Sequence, residues 1–197
     1  RNFDINIPEM RLWSLEDPYL YEAEINLGDD FLKSYFGMRK ISITNLPGTE
    51  YPYVALNNKP IYLQLALDQS YHPDGYYTFP SDKFMKEEIL RSKSIGLNGI
   101  RIHIKAEIPR KLFWADKLGL LVVEDLPNSW GDPDKFMRSE SEYTLKEMIK
   151  RDYNHPSIFS WVLFNEQWGL STKNDKEDNK QNKSEILPET YNSVSYT

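Results

Sequence analysis

The sequence contains no cysteine, which excludes disulfide bonds, thiolate nucleophiles and cysteine-based metal sites. The compartment stays open, because Cys-free proteins occur in reducing and oxidising environments alike, and the first five residues lack the pattern of a signal peptide. Basic residues number 24 against 30 acidic ones, and this balance, with no basic cluster, argues against a nucleic-acid partner. No apolar run has the length of a membrane span, so we expect no membrane partner either.

Aromatic residues are plentiful, at 14% of the 197 residues, and this surplus has two interpretations. It suits platforms on which sugar rings stack, and it equally suits the core of a β-sandwich. With 40% apolar residues the chain can build the core of one ordinary domain, or parts of two.

Residues 1–50 have a β pattern, with strand candidates at residues 19–27 and 34–43. Asn57 and Asn58 give a hairpin-like turn signal between two short apolar runs. Because two or three strands cannot close a stable sandwich alone, we predict that residues 1–50 are the last strands of a larger β-domain.

From residue 51 onward, strand and helix patterns alternate. The strand candidates are residues 61–67, 99–104, 120–124 and 158–164. One helix is predicted after the capping residue Ser81, a second between Pro109 and Gly119, and a third from about Ser139 to Asp152. This alternation predicts an α/β fold with a parallel sheet.

Four such strands correspond to the first half of a (β/α)8 barrel over residues 51–197. Residues 171–185 are polar, charged and without periodicity, so we predict a solvated loop there.

Polar side chains gather where each predicted strand ends. They are Asp68 and Gln69, Arg101 and His103, Glu124 and Asp125, and Asn165 and Glu166. In barrels of parallel strands this end faces the active site. Glu166 follows an apolar run, and a buried unpaired carboxylate is too costly for a purely structural role. Glu166 is therefore the first candidate for a catalytic acid.

Each of these residues also has a structural interpretation. Asp68 can cap the following loop, His103 can be a hydrogen-bonded structural histidine, and Arg101 and Glu124 can pair across adjacent strands. A pocket at one face of a barrel is favoured because it explains polar groups at the same end of all four strands.

Six sequence motifs occur in an order that resembles the family 2 glycoside hydrolases, which include β-galactosidases, β-glucuronidases and β-mannosidases. They are NKPIYL (58–63), LDQSYHPDG (67–75), RIHIK (101–105), WADKLGLLVVED (114–125), RDYNHPSI (151–158) and FNEQWG (164–169). Residues 12–21 and 35–40 resemble the end of the immunoglobulin-like sandwich that precedes the barrel in that family. The resemblance covers about residues 10–170.

The resemblance implies a retaining β-glycosidase, β-galactosidase-like, acting on terminal β-linked sugars. Glu166 matches the general acid/base, Asn165 the amide that contacts the sugar 2-hydroxyl, and His103 a histidine of the pocket floor. Trp168 would line the region that receives the leaving group.

Three further substrate-binding candidates are less closely tied to the family. Arg101 belongs to the same strand ends, and Asp68 and Gln69 occupy the loop where many β-galactosidases carry arginine and histidine. Because of this departure, the sequence does not predict which sugar is cleaved.

The resemblance also implies what the chain does not contain. The magnesium ligands of some β-galactosidases are not matched after Asp125, so we expect no metal and no cofactor. The family's nucleophile is a glutamate on a later strand, whereas Glu124 and Asp125 lie on the third strand, where we expect them to orient neighbouring groups. We therefore expect the chain alone to have little or no activity, and self-association through open sheet edges stays an alternative.

The sequence is also compatible with two other functions. A non-catalytic carbohydrate-binding module would use Trp168, Trp130 and Tyr76 as stacking platforms and would not need Glu166. A structural or interaction fragment would have strand-end polar groups that satisfy one another, and would bind no sugar.

Overall fold

The computed structural model describes residues 4–128 and 133–166. The strands within these ranges are β1 (Tyr21–Leu27), β2 (Asp30–Phe36), β3 (Ile41–Asn45), β4 (Pro52–Leu56), β5 (Lys59–Pro60), β6 (Leu65–Asp68), β7 (Gly99–Ile102), β8 (Leu121–Asp125) and β9 (Ile158–Val162). The helices are α1 (Asp82–Ser94), α2 (Pro109–Leu118) and α3 (Lys135–Asp152).

The first five strands form two small antiparallel sheets, β1-β2 and β3-β4-β5. Asn57 and Asn58 both have positive φ, 52° and 63°, and form the turn between β4 and β5 that their sequence predicts. The predicted domain boundary after residue 50 falls between β3 and β4, which are antiparallel partners.

The single strand predicted over residues 34–43 is wrong, because β2 ends at Phe36 and β3 begins at Ile41. The chain turns between them and docks against the start of β9. A Cβ on Gly37 would lie 2.7 Å from Cγ of Pro156, and Arg39 Nη2 donates a hydrogen bond to the carbonyl of Ile158 at 2.6 Å. Close packing at Gly37 therefore overrides the local strand pattern.

The last four strands form one parallel sheet in the order β6-β7-β8-β9, with each helix between successive strands. This confirms the predicted α/β class with a parallel sheet. Its core lies between the sheet and the first two helices. The fully buried core residues there are Ile89, Ile100, Ile102, Leu112, Ala115, Leu120, Val122 and Ile158.

The helix ends follow their capping residues. Ser81 Oγ accepts a hydrogen bond from the Phe84 amide at 3.1 Å at the start of α1. Gly119 adopts the left-handed conformation, φ 71°, directly after α2. Helix α3 begins at Lys135 rather than near Ser139, because Asp134 Oδ1 accepts from the Met137 amide and supplies the cap.

Asp116 of α2 joins the N-terminal segment to the amino ends of the parallel strands. Its Oδ2 lies 2.8 Å from the Tyr35 hydroxyl and 2.5 Å from His155 Nδ1. Its carbonyl accepts from Nε1 of the fully buried Trp13 at 2.7 Å. Burial, followed by the Asp116 charge, raises the pKa of Tyr35 far above its usual value. The N-terminal strands therefore support the sheet at the end opposite the candidate site.

Candidate active site

The strand register sorts the predicted site residues onto two faces of the sheet. Asp68 is level with Ile102 and Glu124, while Arg101 is level with Val123, two residues before Asp125. Because side chains alternate along a strand, Asp68 and Glu124 share the helix-covered face with Ile102, and Arg101 and Asp125 share the other.

Arg101, Asp125 and Asn165 form a hydrogen-bonded chain on the face away from the helices. Arg101 donates through Nε and Nη2 to Asp125, at 3.0 Å to Oδ1 and 2.7 Å to Oδ2. Its Nη2 also donates to Asn165 Oδ1 at 2.8 Å. The hydrogen bond to Asp125 raises the pKa of Arg101. The Arg101–Glu124 pair considered from the sequence is therefore wrong, because Glu124 lies on the opposite face.

Asn165 is buried and Glu166 is exposed, in the segment that follows β9 after Leu163 and Phe164. The Asn165 amide donates to Asn128 Oδ1 at 2.9 Å, and Asn128 Nδ2 donates back to the Leu163 carbonyl at 3.2 Å. Glu166 has a φ of 55°, a left-handed conformation that costs a residue with a Cβ about 1–2 kcal/mol. Such a conformation persists only where the surroundings fix it, and it is a common feature of functional sites.

Both carboxylate oxygens of Asp68 accept hydrogen bonds from neighbouring residues of the chain. Its Oδ1 accepts from the Ser70 amide at 2.7 Å, which is the loop cap considered from the sequence, and its Oδ2 accepts from Lys111 Nζ at 2.5 Å. Gln69 is exposed, and its side chain makes no hydrogen bond within the described ranges. Of this pair, Gln69 is the side chain open to a ligand.

Lys111 is the centre of a buried ionic cluster that the sequence interpretation missed. Its side chain is 1% exposed, and its Nζ lies 3.3 Å from Glu88 and 3.7 Å from the fully buried Glu107. Burial lowers the pKa of Lys111, but Asp68, Glu88 and Glu107 together outweigh it and the net pKa is raised. The sequence signal was the i,i+4 spacing of Glu107 and Lys111, with Lys111 beside the apolar Leu112.

Glu124 is fully buried on the helix-covered face. Its Oε1 accepts from the Glu107 amide at 2.9 Å and lies 3.7 Å from Arg151 Nη2, whereas its Oε2 has no hydrogen-bond partner. Burial, and then the nearby Asp152 carboxylate, raise the pKa of Glu124 to about 7. This position does not favour Glu124 as a nucleophile in a pocket on the other face.

His103 is half-buried at the end of β7. Its backbone amide donates to the Asp68 carbonyl at 2.9 Å, and within residues 4–128 and 133–166 its imidazole has no hydrogen-bond partner. Trp168, Trp130 and the predicted polar loop at 171–185 lie outside the described residues.

The described part of the chain has neither a metal-site cluster nor a membrane-spanning helix. No group of three histidine or acidic side chains there has the arrangement of a metal site. None of the helices there is both long enough and apolar enough to cross a membrane.

Known proteins similar to this chain are sugar-cleaving enzymes, although no family model matches it. A β-galactosidase of Thermoanaerobacterium thermosulfurigenes is 32% identical over 168 residues, which are 82% of this chain and 22% of that protein. The structure of β-glucuronidase 3 from Bacteroides uniformis is 28% identical with a TM-score of 0.70, over 86% of this chain and 22% of that one.

The fold is also shared with a GH2 β-galacturonidase from Eisenbergiella tayi, solved with galacturonate. The TM-score is 0.71 at 24% identity, over 81% of this chain and 28% of that one, so this likeness concerns the fold alone. The chain spans between 16% and 29% of the length of five curated relatives that it matches.

Proposed function

This chain belongs to the family 2 glycoside hydrolases, and we propose that the intact protein hydrolyses terminal β-linked sugars with retention of configuration, with Glu166 as the general acid/base. The relatives are named for galactosides and glucuronides, so the proposal stops at the β-glycoside and leaves the sugar to experiment.

The architecture we propose is the first half of a (β/α)8 barrel over residues 51–197, preceded by the last strands of an immunoglobulin-like sandwich in residues 1–50. Two features support the half barrel. The parallel strands follow one another in chain order with a helix between each pair, and β6 and β9 each have one strand partner among the described residues. An open row of this kind is what half of a closed barrel leaves.

The fixed orientation of Asn165 is the observation that carries the proposal. Arg101 donates to Asn165 Oδ1 at 2.8 Å, so the amide nitrogen is turned away from Arg101. That nitrogen has no hydrogen-bond partner among the described residues and is available to a sugar hydroxyl. A donor held in place before the substrate arrives can stabilise the transition state without reorganising.

Glu166 follows at the exposed end of β9, where a glycosidic oxygen can reach it. In the first step its carboxyl group protonates the leaving oxygen as the bond to the sugar breaks. In the second step the same carboxylate removes a proton from the water that releases the sugar. Asn165 and Glu166 are adjacent, so one strand end aligns both groups with one sugar ring.

Retention requires a second carboxyl group roughly 5 Å from the first. Asp125 is paired with Arg101, and Glu124 lies on the helix-covered face, so neither suits attack on a sugar held by Asn165. We place the nucleophile on a later barrel strand outside this chain, and the chain alone should have little or no activity.

The test uses the intact protein with Glu166→Gln, after a screen of nitrophenyl β-glycosides has identified the sugar. Turnover of an alkyl β-glycoside should fall about 10²–10⁴-fold because its leaving oxygen must be protonated. The β-glycosyl fluoride of the same sugar should lose far less in its first step, because fluoride leaves without a proton. Azide should restore turnover of the fluoride by Glu166→Ala and yield the β-glycosyl azide.

Glu140→Gln on the exposed side of α3 is the matched control and should leave both rates unchanged. Equal losses on the alkyl glycoside and the fluoride would argue against an acid role for Glu166. A wild-type protein that binds the sugar and hydrolyses no β-glycoside would instead be a carbohydrate-binding module.

A further inference from the structure

The loop between β6 and α1 exposes three tyrosines that contact one another. Tyr71 is 58% exposed, and Tyr76 and Tyr77 are each 64% exposed. The Tyr71 ring meets the other two edge to face, with centroids 5.8 Å from Tyr76 and 6.0 Å from Tyr77. Single exposed aromatic residues are ordinary, whereas a contiguous exposed cluster marks a binding surface.

The loop that carries this tyrosine cluster is held by Lys105, which follows β7. Lys105 Nζ donates to the Ser70 carbonyl at 3.2 Å and to the Tyr77 carbonyl at 3.3 Å. The same ammonium lies 5.6 Å from the centroid of the Tyr77 ring and 3.2 Å from the fully buried Glu107. The loop is therefore tied to the segment that follows β7.

The backbone of the loop is also fixed within itself. His72 and Tyr76 exchange two backbone hydrogen bonds of 2.8 Å, and Ser70 and Tyr76 have φ values of 49° and 54°. A preformed aromatic surface loses little conformational entropy when a ligand binds to it. The backbone that carries the tyrosine cluster is therefore fixed before a ligand binds.

The cluster lies at the same end of the sheet as Asn165 and Glu166. The loop follows β6 and Glu166 follows β9, at the carboxyl ends of parallel strands that are three positions apart. Neighbouring strands are about 4.8 Å apart, so the ends of β6 and β9 are separated by about 14 Å along the sheet. A single sugar held by Asn165 does not span this distance, whereas a longer glycoside does.

We propose that Tyr71, Tyr76 and Tyr77 form a stacking subsite for a further sugar unit of an oligosaccharide substrate. This rests on the proposed function: because that reaction removes a terminal sugar, every further unit lies on the leaving-group side. The apolar C–H face of a pyranose ring fits an exposed phenol ring, and the tyrosine hydroxyls can bond to its hydroxyl groups. The preferred substrate is thus a β-linked oligosaccharide rather than a simple glycoside.

The test compares Tyr71→Ala with Tyr71→Phe in the intact protein, because Tyr71 touches both other rings. Two substrates of the same terminal sugar are used: its β-glycosyl fluoride, which has no leaving-group ring, and a β-linked trisaccharide. Tyr71→Ala should lower kcat/KM for the trisaccharide roughly tenfold, equivalent to about 1.4 kcal/mol, and leave the fluoride within about twofold. Tyr71→Phe keeps the ring and should keep most of the trisaccharide rate.

Tyr62→Ala is the matched control, because Tyr62 is 71% exposed and precedes β6, at the opposite end of the same strand. It should change neither rate. Equal losses of Tyr71→Ala on both substrates, or no loss on the trisaccharide, would overturn the subsite while leaving the glycosidase proposal intact. A wild-type protein inactive on the fluoride as well would overturn the glycosidase proposal itself.

Discussion

Arg101 of β7 donates a 2.8 Å hydrogen bond from Nη2 to the side-chain oxygen of Asn165, in the segment that follows β9, although β7 and β9 are not neighbours in the sheet. The link passes over β8, whose last residue, Asp125, binds the same guanidinium. One arginine thereby connects the carboxyl ends of three strands, so the direction of the Asn165 amide depends on residues of two other strands.

Replacing Asp125 with asparagine should weaken the connection between Asp125, Arg101 and Asn165 while nearly preserving the side-chain volume. The guanidinium loses its charged partner, so Asn165 loses its fixed orientation, and kcat/KM of the intact protein should fall about 10²-fold. The measurement is steady-state kinetics on the β-glycosyl fluoride, with thermal unfolding followed in parallel. Asp74→Asn, at a carboxylate 93% exposed, is the control. Wild-type kinetics in Asp125→Asn would show that Asn165 is held without Asp125.

The buried Glu124 should make stability depend on pH. Its pKa is raised to about 7, above its unfolded value, so the folded state binds the proton more tightly. The resulting penalty is absent below the unfolded pKa and grows until the pH exceeds about 7. Glu124→Gln removes this titration, so its free energy of unfolding relative to wild type should rise from pH 5 to pH 8, by on the order of 1 kcal/mol or more.

Unfolding curves of both proteins across that pH range provide the measurement. A constant difference between Glu124→Gln and wild type would mean that Glu124 is ionised in the folded state throughout the range. Glu142→Gln, an exposed acidic residue of α3, should show no such trend.

Lys111→Met should be strongly destabilising. The change keeps most of the side-chain volume but leaves Asp68, Glu88 and Glu107 without their shared cation. Breaking a buried ionic cluster in this way costs about 3–5 kcal/mol. Denaturant unfolding measures the loss, and Lys117→Met, exposed on the same helix, should cost well under 1 kcal/mol. Equal effects of the two substitutions would show that the cluster contributes no net stability.

Gly119→Ala should cost more than Gly96→Ala, although both glycines have positive φ, 71° and 90°. A Cβ at Gly119 would lie 2.6 Å from the Leu15 carbonyl oxygen, whereas one at Gly96 meets nothing within 4 Å. Both variants carry the left-handed penalty of about 1 kcal/mol, and only Gly119→Ala must also displace backbone. The difference between the two losses in unfolding free energy measures the cost of the contact between the new Cβ and Leu15. Equal losses would mean that the Leu15 backbone shifts away at no cost.

The helices and the parallel sheet could be predicted because their signals are local. Ser81 caps α1 through its side-chain hydrogen bond, whereas Gly119 ends α2 and Asn57 with Asn58 turns the chain through their left-handed conformations. The break after Phe36 could not be predicted, because it is imposed by Pro156 and Ile158, far along the chain.

The sequence predicts which strand ends carry the candidate site, but it does not predict on which face of the sheet each side chain lies. Glu124 and Asp125 are adjacent acidic residues after the same apolar run, and a shift of one residue in register would exchange their faces. The register places Asp125 beside Arg101 and Glu124 beneath the helices. The sequence therefore indicated the right strand but could not show which carboxylate is Arg101's partner.

Arg39 donates hydrogen bonds to the carbonyls of Pro156 and Ile158, and so fixes the first residue of β9. Asn165 and Glu166 lie beyond the opposite end of the same strand. The strand is five residues long. A change that removes the hydrogen bonds of Arg39 can shift this short strand and thereby displace Glu166, the proposed proton donor, without altering any residue next to Glu166. Random mutagenesis of the intact protein should thus find activity-altering changes around Arg39 as well as around Asn165 and Glu166.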